Sequence, residues 1–360
     1  MKRIVFQTNQ LSVRGTEIAL YDYAYYTQSI LNHRAIIAYK NDSIGNNPHV
    51  INKFSREFEL IPYKNLADLD SCILLNQVDL MYSIKAGEPD GIISSSVPTM
   101  VHAVFPQHPS SAHGSSYAFV SDWLSRVCSR RVIPAVPHIV TLPDVDGNLR
   151  LDLGIPADAT VFGCYGGATS FDINFAKKAV IDIVDKKNNI YFIFMNIEPF
   201  FKHSQIMFLP SSADLIRKVK FINTCDAMLH ARKLGESFGL ACAEFSVKNK
   251  PIFTYSKSPQ RHHLEVLGKK AFLYSGYKSL MSALLNFDSA ASSSQLWDCY
   301  SEKFSPKNVM ELFDKHLIQV AETNGIVSNP RFHLGLRDHL GCQYENLKLR
   351  GIKFSRLWAN

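Results

Sequence analysis

Residues 221–255 read FINTCDAMLHARKLGESFGLACAEFSVKNKPIFTY, and within them GESFGLACAEF (235–245) sets Glu236 and Glu244 eight positions apart. Glu236 stands in a Gly/Ser-rich turn, whereas Glu244 lies inside an apolar run. An unpaired carboxylate buried in such a run costs on the order of several kcal/mol, so the stretch requires a reason for it. A strand over 226–231 runs into a glycine-bearing turn, and the helix after it is expected to begin near Ser237 or Phe238. Ser237 suits the N-cap, but the N3 position is Leu240 rather than Glu or Gln, so a capping box accounts for neither glutamate. A helix beginning there presents the amides of Phe238, Gly239 and Leu240 to an anion such as phosphate, and Gly239 allows a close backbone approach. Glu236 then sits beside the anion. Glu244, two turns in, finds satisfaction in paired hydroxyls such as those of a ribose.

Outward from this block, short apolar runs alternate with helical patterns. Strands are expected at 3–8, 34–40, 78–84, 98–105 and 117–121, and again at 160–166, 189–197, 205–210, 226–231, 251–255 and 271–275. Helical stretches at 17–31, 65–77, 172–187 and 278–287 lie between them, and further helices are expected at 292–303 and 306–322. This alternation calls for an α/β fold with open parallel sheets covered by helices on both faces. The Pro/Asp/Gly-rich stretch LPDVDGNLRLDLGIPAD (142–158) interrupts it, which places a domain boundary near 150. The organisation expected is an N-terminal Rossmann-like domain over 1–150, a second over 151–290 and C-terminal helices with a basic tail over 291–360. Ligands of such sheets bind at the carboxyl ends of the strands.

The chain has 360 residues, 46% of them hydrophobic and 20% charged, as in a two-domain globular protein. No apolar run reaches the roughly 18 residues of a membrane helix, and MKRIVFQTNQ is read as a first strand rather than a signal peptide. Seven scattered cysteines without a CxxC point to reduced thiols in the cytoplasm. The net charge is +7, and six basic residues of the tail (Arg331, Arg337, Lys348, Arg350, Lys353, Arg356) face only Asp338 and Glu345. An ordinary solvated terminus explains this tail, and peripheral contact with an anionic membrane is the alternative. The first strand is followed by QTNQLSVRGTE, without the GxGxxG of dinucleotide oxidoreductases, and there is no Walker A sequence or HExxH. DVD (144–146) and DLD (68–70) are read as surface carboxylates, and His102, His108 and His113 match no zinc spacing, so no metal site is expected. Nothing points to nucleic acid.

The order Glu236-x7-Glu244 followed by NKPIFTY resembles the signature of retaining glycosyltransferases of the GT-B fold, the family-4-like (group 1) enzymes in particular. NQLSVRGTEIAL (9–20), MVHAVF (100–105) and FVSDWLSR (119–126) are similar to further segments of that family. The resemblance implies two Rossmann-like β/α/β domains facing a central cleft, and transfer of a hexose from a UDP- or GDP-sugar to a glycan or small-molecule acceptor with retention of configuration. It implies no cofactor beyond the sugar donor, and no metal. By it, Glu236 contacts the donor sugar and Glu244 the ribose. The amides of Phe238, Gly239 and Leu240 hold the diphosphate or hexose, Gly15 approaches the phosphate, His102 lies near the sugar, and Leu209 and Pro210 meet the base.

Two departures stand out. Where the family carries an Arg and then a Lys after the first strand of the second domain, this chain reads FGCYGGATSFDIN (162–174), with Cys164 near the expected arginine. Losing a bidentate cation weakens donor binding by a few kcal/mol in order of magnitude. The amides of Gly166 and Gly167, or the charges of Arg232 and Lys233, are substitutes within reach. Arg14 also replaces the first of a Gly-Gly pair, either crowding the loop or supplying positive charge. These departures motivate the rival reading, a non-catalytic nucleotide-sugar-binding or assembly module. His263 and Glu265 in RHHLEVLG are read as a surface helix, and Tyr21, Tyr23, Tyr25 and Tyr26 as packing residues.

Overall fold

The computed structural model describes residues 1–13 and 15–330, and beyond them only Phe332, Asp338, Gly341, Cys342, Glu345 and Leu349. Arg14 and all six basic residues of the tail lie outside the described residues. The chain forms two compact units, one of Met1–Ile139 with the chain from Phe304 onward, the other Val140–Lys303. The change of unit thus falls ten residues before the boundary expected at 150. The C-terminal segment expected to begin at 291 divides at Phe304 between the two units.

The first unit runs β1 (Arg3–Thr8), α1 (Gly15–Ser29), β2 (Arg34–Lys40), α2 (Pro48–Ser55), β3 (Glu59–Tyr63), α3 (Leu66–Leu75), β4 (Leu80–Lys85), β5 (Thr99–Ala103), β6 (Ser116–Phe119) and α4 (Asp122–Ser129). Its six strands are all parallel in the order β3-β2-β1-β4-β5-β6. Central strands such as β1 and β5 are buried on both faces, which is why their apolar residues, IVF and MV, run on without alternating with exposed ones. β3, ELIPY, escaped the sequence reading because it alternates and carries Pro62, a pattern tolerated on the edge position it occupies. Helix starts are set by side chains: Asn47 caps α2, Asn65 caps α3 and Ser121 caps α4.

The second unit runs β7 (Thr160–Tyr165), α5 (Asn174–Val184), β8 (Ile190–Met195), β9 (Ile206–Leu209), α6 (Leu215–Thr224), β10 (Ala227–His230), β11 (Gly235–Glu236), α7 (Leu240–Val247), β12 (Ile252–Tyr255), β13 (Gln260–Arg261), α8 (His262–Leu267), β14 (Ala271–Tyr274), α9 (Tyr277–Leu285) and α10 (Ser289–Ser293). Its six-stranded parallel sheet has the order β14-β12-β10-β7-β8-β9, and β11 pairs with β13 in a separate ribbon. Where a helix over 292–303 was expected, α10 ends at Ser293 and an irregular segment follows. The chain then rejoins the first unit through α11 (Pro306–Phe313), a π-helical turn over Asp314–Ile318 and α12 (Gln319–Asn324). Phe313 stacks on Tyr23 at 5.1 Å and meets Tyr82 edge-on at 5.2 Å, fixing α11 to the first core. Counted within each unit, both sheets have the doubly wound order, so each is a Rossmann-like domain of the pair that makes up a GT-B fold. No described helix is long and apolar enough to cross a membrane.

Candidate functional site

In the second sheet the strand order reverses between β7 and β10, and open parallel sheets bind ligands outside the carboxyl ends at that point. The loops leaving these ends are tied together. Asn196 Nδ2 donates to Gly166 O at 2.6 Å, Lys233 N to Asp172 Oδ1 at 2.6 Å, and Asp172 N to Ala231 O at 3.0 Å. Gly166 is close-packed, since a Cβ there would lie 2.4 Å from Ser170 Oγ, whereas Gly167 has open space around it.

Glu236 lies beyond β10. Gly235 sets it there with a φ of +73° and an approach so close that a Cβ would fall 2.1 Å from Gln260 O. The Glu236 carboxylate is gripped from two sides, accepting from Arg232 Nη1 at 2.9 Å through Oε2 and meeting His230 Nε2 at 3.0 Å through Oε1. Burial alone would raise its carboxyl, but the Arg232 charge, the His230 hydrogen bond and the nearby histidines together bring it down to about 2. Behind His230 the network continues: Thr254 Oγ1 bridges His230 Nδ1 at 2.9 Å and His263 Nε2 at 3.0 Å. His263 is therefore not on a surface helix as expected; it is wholly buried, and burial first, then the neighbouring His230, hold its imidazole well below the usual range. The six-residue α8 turns both His262 and His263 inward and leaves Glu265 exposed.

Glu244 has its partner in a residue the sequence reading missed. Lys218, on α6, donates to Glu244 Oε1 at 2.7 Å, both side chains being at least nine-tenths buried. The two residues are 26 apart in sequence, and only the register of α6 against α7 brings them together. The ammonium also lies 5.7 Å from the centroid of the Tyr165 ring.

The helix after Glu236 starts later than expected. α7 begins at Leu240 and its N-cap is Gly239, not Ser237, with φ +94° and ψ +61° and no side-chain cap. That left-handed conformation ends the extended turn and suits glycine. The helix-end amides are consequently those from Leu240 onward rather than that of Phe238, whose side chain is buried and stacks on His262 at 5.0 Å. Gly239 sits against the site, a Cβ there meeting Glu236 Cβ at 3.0 Å.

The remaining expected residues are dispersed. Leu209 ends β9 and lines a hollow of about 370 Å³ together with Leu149, Leu153, Asp214, Ile216 and Lys220; Pro210, next in the chain, is exposed. Gly15 opens α1 in the first unit. Cys164 is buried in β7, and burial pushes its thiol up to about 12. His102 is not at a sugar-facing surface: it is fully buried in β5, accepts from Tyr82 OH at 2.8 Å through Nδ1 and donates to Val136 O at 2.7 Å through Nε2. Burial brings its pKa down to about 4, and with both ring nitrogens engaged it is a core histidine. The DxD stretches serve structure: Asp70 accepts from Ser94 and Ser95 at 2.5–3.1 Å, Asp68 from Lys64 N at 2.9 Å, and Asp144 pairs with Lys248 at 3.0 Å. Tyr23 is fully buried, its hydroxyl donating to Pro137 O at 2.7 Å.

No protein-family model and no curated protein matches the sequence. The fold does match solved structures. A glycosyltransferase from Rickettsia africae superposes with a TM-score of 0.56 at 11% identity over 89% of this chain and 96% of that one. Anabaena HepE in complex with UDP-glucose gives 0.58 at 14% identity, over 90% of this chain and 98% of that one. A UDP-N-acetylglucosamine 2-epimerase gives 0.56 at 11% identity, over 93% of this chain and the whole of that one. At these identities the likeness is one of fold.

Proposed function

We propose that the protein is a metal-independent glycosyltransferase moving a hexose from a nucleoside diphosphate sugar, UDP- or GDP-linked, to a hydroxyl of a glycan or small-molecule acceptor with retention of configuration. The observation that carries this reading is the partly buried Glu236 carboxylate held by Arg232 and His230 at the switch point of a Rossmann-like sheet, directly ahead of the glycine-capped α7. Fold likeness to a glycosyltransferase and to a protein holding UDP-glucose supports it. In this reading Glu236 accepts a sugar hydroxyl, the Gly239 and Leu240 amides bind the diphosphate, and Arg232 supplies the cation absent after β7. The backbone of Gly166 and of the exposed Gly167 adds donors, Glu244 with Lys218 faces the ribose, and Leu209 with Pro210 meets the base. Arg14 and Gly15 of the N-terminal loop also serve the phosphate. The bond from the anomeric carbon to the diphosphate oxygen breaks, the acceptor oxygen bonds to the same face, and the acceptor proton passes to the departing phosphate. Amides and Arg232 stabilise the charge that develops there.

The likeness to an epimerase favours a second reading, in which a UDP-sugar is inverted at C2 without an acceptor. Incubation with UDP-, GDP- and ADP-sugars, with and without acceptors and with EDTA, separates the readings. Acceptor-dependent nucleotide release and an anomerically retained product are expected, undiminished by EDTA. Acceptor-free conversion to the C2 epimer would establish the second reading. Donor binding without turnover, unaltered by Glu236→Gln, would leave only a sugar-binding module. Contact of the basic tail with membranes is part of the proposal, and failure to co-sediment with anionic vesicles would remove it.

A further inference from the structure

The second unit carries a polar hollow at the edge of its sheet opposite Glu236. Asp226 stands just before β10 and Lys248, Asn249, Lys250 and Pro251 just before β12, so the amino ends of two neighbouring parallel strands form one wall. Ser289, Ser292 and Ser293 of α10 form the other, enclosing about 200 Å³. That is below the roughly 300 Å³ at which drug-sized ligands begin to be held, and it suits a small ion.

Most polar groups of the wall are committed. Asp226 Oδ2 accepts from Arg150 Nη2 at 2.9 Å and from Val161 N at 2.7 Å. Lys248 Nζ donates to Pro143 O at 2.7 Å and Asp144 Oδ1 at 3.0 Å. The Asn249 amide donates to Gln295 O at 2.9 Å and accepts from Trp297 N at 2.6 Å. Ser293 Oγ donates to Ala290 O at 2.7 Å, and among the groups left open two stand out. The Lys250 ammonium is partly buried yet makes no ion pair with the described residues, and burial holds it below its ordinary range against the opposing pull of Cys225 and Asp226. Ser292 is 6% exposed, and its Oγ has no hydrogen-bond partner among the described residues. A partly buried cation and a buried hydroxyl left open in one small hollow leave the desolvation cost of the hydroxyl uncompensated and that of the cation only partly offset. A divalent cation does not fit: Lys250 repels it and Arg150 already holds the one wall carboxylate.

We propose that this hollow is a binding site for a phosphate-sized oxyanion, with Lys250 supplying the charge and the Ser292 hydroxyl a hydrogen bond. The site lies at the amino ends of β10 and β12, whereas the residues around Glu236 stand at the carboxyl ends, so the anion bound here is additional to any donor diphosphate.

Calorimetric titration of the full chain with inorganic phosphate tests this, using Lys250→Met, Ser292→Ala and, to separate out the Glu236 region, Arg232→Met. Phosphate binding is expected in the wild type, weakened about tenfold or more in Lys250→Met, severalfold in Ser292→Ala, and preserved in Arg232→Met. Urea midpoints establish that each variant is folded; should Lys250→Met not fold, Ser292→Ala decides. Absence of phosphate binding to the wild type, binding undiminished in a folded Lys250→Met, or binding lost in Arg232→Met alone overturns the proposal. None of these outcomes depends on whether the protein transfers a sugar.

Discussion

Replacing Glu236 by Gln keeps the shape and one acceptor oxygen but removes the charge that Arg232 and His230 hold. The size of the effect follows from the carboxyl itself. Its fall from the ordinary 4.5 to about 2 corresponds to about 3 kcal/mol at about 1.4 kcal/mol per pH unit. Because the folded value is the lower one, this stabilisation is complete above the unfolded pKa near 4.5 and disappears as pH falls toward about 2. The assay is urea unfolding of wild type and Glu236→Gln in parallel from pH 7 downward, comparing free energies at matched slopes. The wild type is expected to be more stable at neutral pH, and its advantage to shrink steadily once pH drops below about 4.5. Other carboxylates titrate in both proteins and cancel in the difference. A difference that stays constant between pH 7 and 3 would refute the reasoning, since the carboxylate then gains nothing from Arg232 and the His230 hydrogen bond.

Three further outcomes follow from the same geometry. Lys218→Met removes one member of a buried pair and is expected to cost about 3–5 kcal/mol by urea midpoint, whereas Lys218→Met combined with Glu244→Met recovers most of the loss; a double variant as unstable as the single one contradicts this. Gly239→Ala places a Cβ 3.0 Å from Glu236 Cβ at φ +94°, and a loss of about 1–3 kcal/mol with weaker UDP-sugar binding is expected from calorimetry. His102→Gln disturbs the bonds to Tyr82 and Val136 and is expected to cost about 1–3 kcal/mol. The rate per folded molecule is expected to stay unchanged in that variant; a rate collapse at full folding would return His102 to the reaction.

The strands of both sheets were legible because strands buried on both faces write themselves as short apolar runs such as IVF in β1 and IYFIFM in β8. ELIPY was not, because an edge strand needs only one apolar face and tolerates Pro62. The order of Glu236 and Glu244 could be read along the chain, but their partners depended on how far away those partners were encoded. Arg232 is four residues from Glu236 and was within view as a charge; Lys218 is 26 residues from Glu244 and belongs to another helix, so no local pattern announces it. The start of α7 was misplaced because Ser237 has the right chemistry for a cap, while the deciding property, the left-handed backbone of Gly239, is imposed by tertiary packing. His102 and His263 show the same limit: a histidine beside an apolar run reads alike whether it faces a ligand or, as here, satisfies both a neighbour and the core.

The clamp on Glu236 also restricts what chemistry the site can perform. A carboxylate with a pKa near 2 is almost wholly ionised at neutral pH and is a weak base, so it is poorly matched to taking the acceptor proton. Its oxygens accept one bond each from Arg232 and His230, and each keeps lone-pair capacity for a sugar hydroxyl. The clamp therefore favours binding and orientation over proton abstraction for Glu236, in keeping with the departing phosphate as the base in the proposed transfer. The consequence is kinetic: the pH profile of kcat should show no enzyme group at Glu236 titrating between pH 5 and 8, and Glu236→Gln should lower kcat/KM without moving the profile. An acidic limb near neutrality that vanishes in Glu236→Gln would mean that the carboxylate, not the phosphate, takes the proton, and that the clamp opens during turnover.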